Sequence, residues 1–353
     1  VNPPDLSSVF TEGLPELLKQ AGASLAVTTY QAGKLILARA DGDALNTHFR
    51  LFARPMGLAL QGQKLAVGSH LGVEEFRNVP AVANKLDPVN KHDACFLPRH
   101  AHTTGNIDGH EMAYDKDGQL WVVNTRFSCL CTLDAEHSFR PRWRPPFVSA
   151  YAPEDRCHLN GLDMVNGEPA YVTALGETDS AGGWRSNKTN GGLLMDVRDN
   201  RVIARGLSMP HSPRWYRGKL WVLESGKGSL ATVDLETGEL STVIELPGFT
   251  RGLDFIANLA FIGLSQVRDS AVFSGLAITE REHERNCGVW VVDINSGQLV
   301  GFVRFEGAVQ EIFAVKALAG LRFPELLNEP DDTVANAWVL PDEALAEVAP
   351  AHR

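Results

Sequence analysis

Short apolar or β-branched runs ending in small or polar residues recur along the chain, at 64–69 (KLAVGS), 120–125 (LWVVNT), 170–175 (AYVTAL), 220–225 (LWVLES) and 259–265 (LAFIGLS). Runs of this length and composition are the pattern of short buried β-strands. Upstream of each, across turns such as Asp117-Gly118, Asn166-Gly167 or Arg217-Gly218, lies a second phrase centred on Gly57, Glu111, Gly161, Ser212 or Gly252. Two such phrases about a tight turn make a β-hairpin, and the hairpins recur at spacings of 54, 50, 51 and 40 residues. Outer strands follow, clearest at 230–234 and 240–244 and again at 289–293 and 299–303. Four antiparallel strands in a repeat of this size are the pattern of a propeller blade.

The sixth repeat is divided between the two ends of the chain. Residues 309–315 read as a first strand with Glu311 in register, 59 residues after Gly252, and the strands it lacks are found at 24–30, 34–38 and 47–52. Pairing the two ends closes the ring and removes two exposed sheet edges. The expected fold is therefore all-β: a single six-bladed β-propeller with an N-terminal cap over 1–22, blades over 23–315 and a C-terminal extension over 316–353. Helix is expected only at 14–20 and 342–347, as caps. A pair of β-sandwiches would also show many short strands, but would not make one motif recur in step.

A length of 353 residues exceeds the roughly 250 at which one core stops growing, and a modular ring resolves that excess. An apolar share of 44% and a charged share of 22% exclude a disordered or fibrous chain. Lys plus Arg number 33 against 43 Asp plus Glu, a net charge of −10, which disfavours nucleic acid or an anionic membrane as the main partner. No run approaches the roughly 18 apolar residues of a membrane span. The opening VNPPDLSSVF lacks the basic and apolar regions of a signal peptide, so a cytoplasmic location is expected, although Val1 shows that the true start has been trimmed. Five cysteines, an odd number, do not make a disulfide framework.

The first strand of every blade lines the central channel, so equivalent positions of distant segments meet on one axis. The residues just before the aligned positions are Met56, His110, Asn160, His211, Arg251 and Gln310, and His158 stands two before Asn160. Imidazole is the commonest nitrogen ligand of the later transition metals, and a catalytic site needs three protein ligands and an open position. His110, His158 and His211 are the expected ligands of a divalent transition metal: copper, iron, manganese or zinc. Glu111 is the leading acid/base candidate, with Asp108 and Glu311 as further carboxylates near the ring, and Arg251, Asn160 and Gln310 are expected to orient a substrate. Loops at the same face carry Tyr30, Trp184, Arg185 and Arg268, a rim suited to an anionic or peptide-like ligand. His92, Cys95, His100 and His102 form a further cluster in sequence, and Cys157 sits beside His158.

Six phrases carry a resemblance: HTTGNIDGHEM at 102–112, NTRFSCL at 124–130, RPRWRPPF at 140–147, APEDRCHLNG at 152–161, MPHSPR at 209–214 and FTRGLD at 249–254. In these the chain resembles an uncharacterised bacterial family, a domain of unknown function sometimes attached to tetratricopeptide repeats. The resemblance implies a propeller-like fold and carries no established reaction. Looser similarity to propeller lyases, lactonases and oxygenases, which hold a metal on the axis, is an analogy of fold.

Three functions follow as expectations. The first is a metal-dependent oxidoreductase, lyase or hydrolase acting on a small or peptide-like, anionic substrate. The second is a non-catalytic scaffold that binds a peptide or protein on its rim. The third is a metal-free lyase or cyclase using Cys157 or Glu111 directly.

Overall fold

The computed structural model describes residues 4–266, 275–281, 286–328 and 332–349, and arranges the repeats as six sheets around one axis. Blade one comprises Leu58–Gln61, Lys64–Gly68, Gly72–Asn78 and Ala94–Thr103; blade two Gly109–Tyr114, Leu120–Asn124, Cys129–Thr132 and Arg140–Trp143. Blade three is built from Leu159–Val165, Glu168–Ala174, Gly192–Asp196 and Arg201–Leu207, and blade four from Pro210–Tyr216, Lys219–Glu224, Ser229–Val233 and Leu240–Glu245. Phe249–Ile256, Leu259–Ser265, Gly288–Asp293 and Gln298–Phe305 form blade five. Blade six joins the C-terminal Ala314–Ala319 to the N-terminal Ala23–Thr29, Lys34–Asp41 and Ala44–Leu51. Each innermost strand contacts the next, and Ala314–Ala319 closes the circle against Leu58–Gln61.

The closing strand lies downstream of the expected 309–315. Residues 310–312 are captured by the end of blade five instead: the Gln266 N–H donates to the Gln310 carbonyl, and the Ser265 hydroxyl bonds both N–H and C=O of Ile312. Pairing begins with the Phe313 N–H on the Thr28 carbonyl and runs in the register Ala314 to Thr28 through Ala319 to Ala23.

Each interface between consecutive blades has its own apolar cluster, such as Val123, Leu130, Leu159 and Leu193 between blades two and three, or Leu220, Val222 and Leu194 between three and four. Two glycines explain why the repeat carries small residues where the inner strands meet. A Cβ on Gly57 would lie 2.0 Å from the His110 carbonyl oxygen. Gly252 has φ +83°, and a Cβ there would lie 2.7 Å from the Val315 nitrogen.

Both chain ends add a strand beyond the closing blade. Ser8–Phe10 pairs antiparallel with the outer strand of blade five, and Pro324–Leu326 pairs parallel with the outer strand of blade one. The N-terminal helix, Leu14–Ala21, starts with Pro15 in its first turn, ends at left-handed Gly22 and buries Leu14 and Leu18 against blades five and six. The C-terminal helix is Asp342–Leu345. Among the described residues no helix is long and apolar enough to cross a membrane.

Candidate functional site: the histidine-lined mouth of the channel

The chain enters four of the inner strands through a residue in the left-handed region: Arg54 (φ 57°), Asp108 (51°), His158 (50°) and Met209 (46°). Each stands three residues before the aligned position of its repeat. Left-handed backbone is uncommon outside glycine and collects at functional sites. In blades two and four its consequence is direct. The ring of His110 folds back so that Nδ1 donates to the Asp108 carbonyl at 2.9 Å and to the Thr125 hydroxyl oxygen at 2.8 Å. His211 repeats the arrangement with the Met209 carbonyl at 3.0 Å and the Ser225 hydroxyl at 2.9 Å. A carbonyl oxygen only accepts, so Nδ1 carries the proton and Nε2 keeps its lone pair.

His158 reaches the same face from its own left-handed turn. Its Nδ1 lies 2.9 and 3.1 Å from the two oxygens of Asp155. That carboxylate also accepts the Trp184 indole N–H at 2.9 Å and Arg185 at 3.2 Å. The His158 ring lies against Trp184 and meets His110 edge-on, with centroids 4.4 and 5.0 Å apart. Phe313 continues the row, 5.0 Å from His110, and the Arg251 guanidinium sits 3.7 Å above it.

Burial, followed by the nearby Arg251 cation, holds His211 well below the ordinary histidine range. Burial also lowers His110, against the attraction of Asp108. Both imidazoles are therefore neutral at pH 7. Burial lowers Arg251 to about 10, with Asp108 and Glu111 opposing, so it stays charged. Burial tends to raise Asp108, but its basic neighbours, among them the Arg251 and Arg126 cations, outweigh it and lower the carboxyl.

The other expected site residues lie elsewhere. Glu111, next along the strand from His110, turns into the shaft. Its carboxylate is held by Arg214 in a two-point contact of 2.7 and 3.1 Å and accepts the Leu162 N–H at 2.7 Å. It is a strut between inner strands, and not a base beside the imidazoles. Asp163, Asp254 and Lys316 share its cavity, of about 200 Å³. Burial lifts Asp163 to about 6, while Asp254 and Lys316 pair at 3.0 Å. Asn160 is also a strut: it donates to the Pro210 carbonyl and accepts from the Thr173 hydroxyl. Gln310 is tied by its backbone to Gln31 and Gln266, and Glu311 precedes the closing strand, its carboxyl raised by burial. Burial pushes the Cys157 thiol up to about 12, which removes it as a nucleophile. Arg268 lies outside the described residues.

Sequence reasoning assigned no role to Asp155, Phe313, Asp163, Arg214 or Asp254. Counting two residues on from Gly161, Ser212 and Gly252, the period of a strand, reaches Asp163, Arg214 and Asp254 and was the signal available for the shaft.

Among the described residues, one group of three histidine, cysteine or carboxylate side chains has its donor atoms all within 4.8 Å of one another: Glu75, His100 and His102, on the outer strands of blade one. The mouth histidines do not meet that spacing. Of the cluster expected from sequence, His100 and His102 come together. His92 instead faces Glu325, and Cys95 is buried in an apolar cluster.

The fold and site define a six-bladed β-propeller with a histidine- and arginine-lined mouth. By sequence, the chain belongs to the family described as a domain of unknown function (DUF4915), which matches residues 12–327. No curated protein matches it significantly. Two solved structures share the fold at 10% identity and a TM-score of 0.51, each covering 84% of this chain and 98% of its own: the nidogen/laminin complex and a protein of unknown function from Bacteroides caccae.

Proposed function

We propose that the mouth binds and transforms a small anionic substrate in the cytoplasm, with Arg251 as the anion anchor and His158, oriented by Asp155, as the acid/base group. The observation that carries this reading is the juxtaposition of one desolvated, charged guanidinium with imidazoles whose Nδ1 atoms are already committed to oxygen. The guanidinium supplies a two-point donor for carboxylate or phosphate. The Nε2 atoms supply acceptors on substrate hydroxyl or amine protons, and an Asp-oriented imidazole is the usual device for proton transfer. The free, buried state of the five cysteines supports a reducing compartment.

Binding of small carboxylates and phosphate monoesters, followed by calorimetry on the full chain, tests the reading. Arg251→Met should weaken a bound anion about 10- to 100-fold, the loss of a charge-assisted hydrogen bond of roughly 1.5–3 kcal/mol, with the circular-dichroism spectrum unchanged. If no such anion binds, or if the variant binds it as well as the parent does, the rim-binding scaffold takes the place of this reading.

The anchored Nδ1 atoms favour a second reading, since imidazoles that ligate metals commonly donate their other N–H to a carbonyl or carboxylate. In it His110, His158 and His211 hold copper, iron, manganese or zinc. Their three Nε2 atoms would have to draw together, against the charge of Arg251. Metal content is then expected to fall in His110→Ala, His158→Ala and His211→Ala alike; stoichiometric metal unaffected by all three would dismiss it.

A further inference from the structure

We propose that Glu75, His100 and His102 form a zinc-binding site on the flank of blade one, separate from the channel mouth. His100 and His102 are two apart on one strand and so project from the same face. Glu75 is registered opposite His100 on the neighbouring strand. One oxygen of Glu75 lies 3.5 Å from His100 Nδ1 and 3.3 Å from His102 Nε2, and the two imidazole centroids are 4.0 Å apart at a steep angle. Donors in a tetrahedral shell with bonds of about 2.0–2.1 Å stand roughly 3.3 Å apart, so both distances from the carboxylate oxygen already match an edge of such a shell, and all three donor atoms lie within 4.8 Å of one another.

Two features of the strands prepare the group. The register slips between the pairs Glu75–His100 and Phe76–Pro98, leaving Arg99 as an extra residue. Such a bulge re-aims the side chains beside it. The second feature is Tyr114, whose hydroxyl reaches across from blade two and donates to the other Glu75 oxygen at 2.7 Å. It fixes the carboxylate so that one oxygen faces both imidazoles, the supporting contact that ligating carboxylates usually have.

The donor set narrows the choice to divalent transition ions such as zinc. Two nitrogens and one oxygen are too few oxygens for calcium or magnesium, and the lack of thiolate disfavours soft monovalent copper. Three protein ligands leave a fourth position for water, on the exposed side, where His100 is 56% accessible against 12% for His102.

The test is a titration of the chelator-stripped full chain with zinc, against a chromophoric competitor, and with cobalt as a spectroscopic stand-in. One zinc per chain is expected, with cobalt giving the visible bands of a four-coordinate ion. His100→Ala and His102→Ala should each weaken zinc by at least about tenfold. Tyr114→Phe, which removes only the positioning contact, should weaken it about 10- to 100-fold. His110→Ala and His211→Ala should leave it unchanged. Because the His100 side chain is more than half exposed, its variant keeps the fold. Absence of stoichiometric zinc, or unaltered affinity in the folded His100→Ala protein, overturns the site. Zinc lost only in the His110 and His211 variants would also overturn it, and would support the metal reading of the mouth. The anion-binding test of Arg251 stands or falls apart from all of these outcomes.

Discussion

Replacing Glu111 by alanine is expected to lower the free energy of unfolding by about 3–5 kcal/mol, the usual cost of leaving one partner of a buried ion pair alone. Glu111 and Arg214 are only 15% and 17% exposed. Arg214 carries the bridge onward, donating to the carbonyls of Leu162 in blade three and Leu253 in blade five. One carboxylate thus neutralises a cation that binds the inner strands of blades three to five, and it ties blade two to them. Burial alone would lower Arg214, but Glu111 reverses the effect and holds it above its ordinary range. Urea unfolding followed by tryptophan fluorescence measures the loss. The double variant Glu111→Leu, Arg214→Leu should recover part of it, because no unpaired charge then remains, and the cycle should show positive coupling between the two sites. A loss below about 1 kcal/mol in Glu111→Ala, with anion turnover abolished, would restore the acid/base role expected from the sequence.

The placing of Glu111 is hidden from the sequence for a physical reason that recurs along the chain. The hairpin repeat is written in the hydrophobic pattern and in residues such as Gly57 and Gly252, which are small because a neighbouring backbone occupies the space of a Cβ. Six blades, and the joining of the two ends in the last, were legible from these features alone. Which of two consecutive inner-strand residues faces the mouth was not. His110 and Glu111 are adjacent, yet the imidazole is drawn back to the turn by the Asp108 carbonyl while the carboxylate enters the shaft. The turns responsible carry no shared side chain, since Arg54, Asp108, His158 and Met209 adopt the same left-handed backbone. Four unlike side chains in one conformation leave no local mark in the sequence. The two added edge strands, Ser8–Phe10 and Pro324–Leu326, span three residues each and are too short to show alternation. Asp155 escaped notice because its role depends on a ring three residues away meeting Trp184 from a distant loop.

The second large effect is expected at the C-terminal strap. Glu325 is 8% exposed and faces four basic groups: Arg39 at 3.5 Å, Arg50 at 3.0 Å, His48 at 3.2 Å and His92 at 3.8 Å. Arg39, only 4% exposed, also donates to the Pro324 carbonyl and lies 4.0 Å from the Phe323 ring. The strap therefore locks blade one to blade six through a charge centre that apolar packing alone does not balance. Glu325→Ala leaves the Arg39 and Arg50 cations facing each other and is expected to cost about 3–5 kcal/mol at pH 7. Glu325→Gln, which keeps one acceptor oxygen for Arg50 and the Leu326 N–H and loses the charge, should cost less. Acidity separates the ionic part of this effect from the rest. Burial would raise the Glu325 carboxyl, but His48 and Arg50 together with the Leu326 N–H outweigh it and bring it down to about 2. A lowered carboxylate contributes stability above its unfolded value, and that stability is lost as pH falls through the folded value. Other groups titrate in the same pH range, among them Asp163, which, lifted to about 6, favours the folded state as pH falls toward 4, and His92, which, lowered by burial, opposes it. Asp163 is the same in parent and variant and cancels, whereas His92 faces Glu325 and loses that attraction in the variant, so the difference between the two proteins reports the Glu325 charge together with its histidine partner. That difference should shrink steadily as pH falls from about 4 toward 2. A gap that persists unchanged at pH 2 would mean that Glu325 supports the strap by packing, and that its charge contributes nothing.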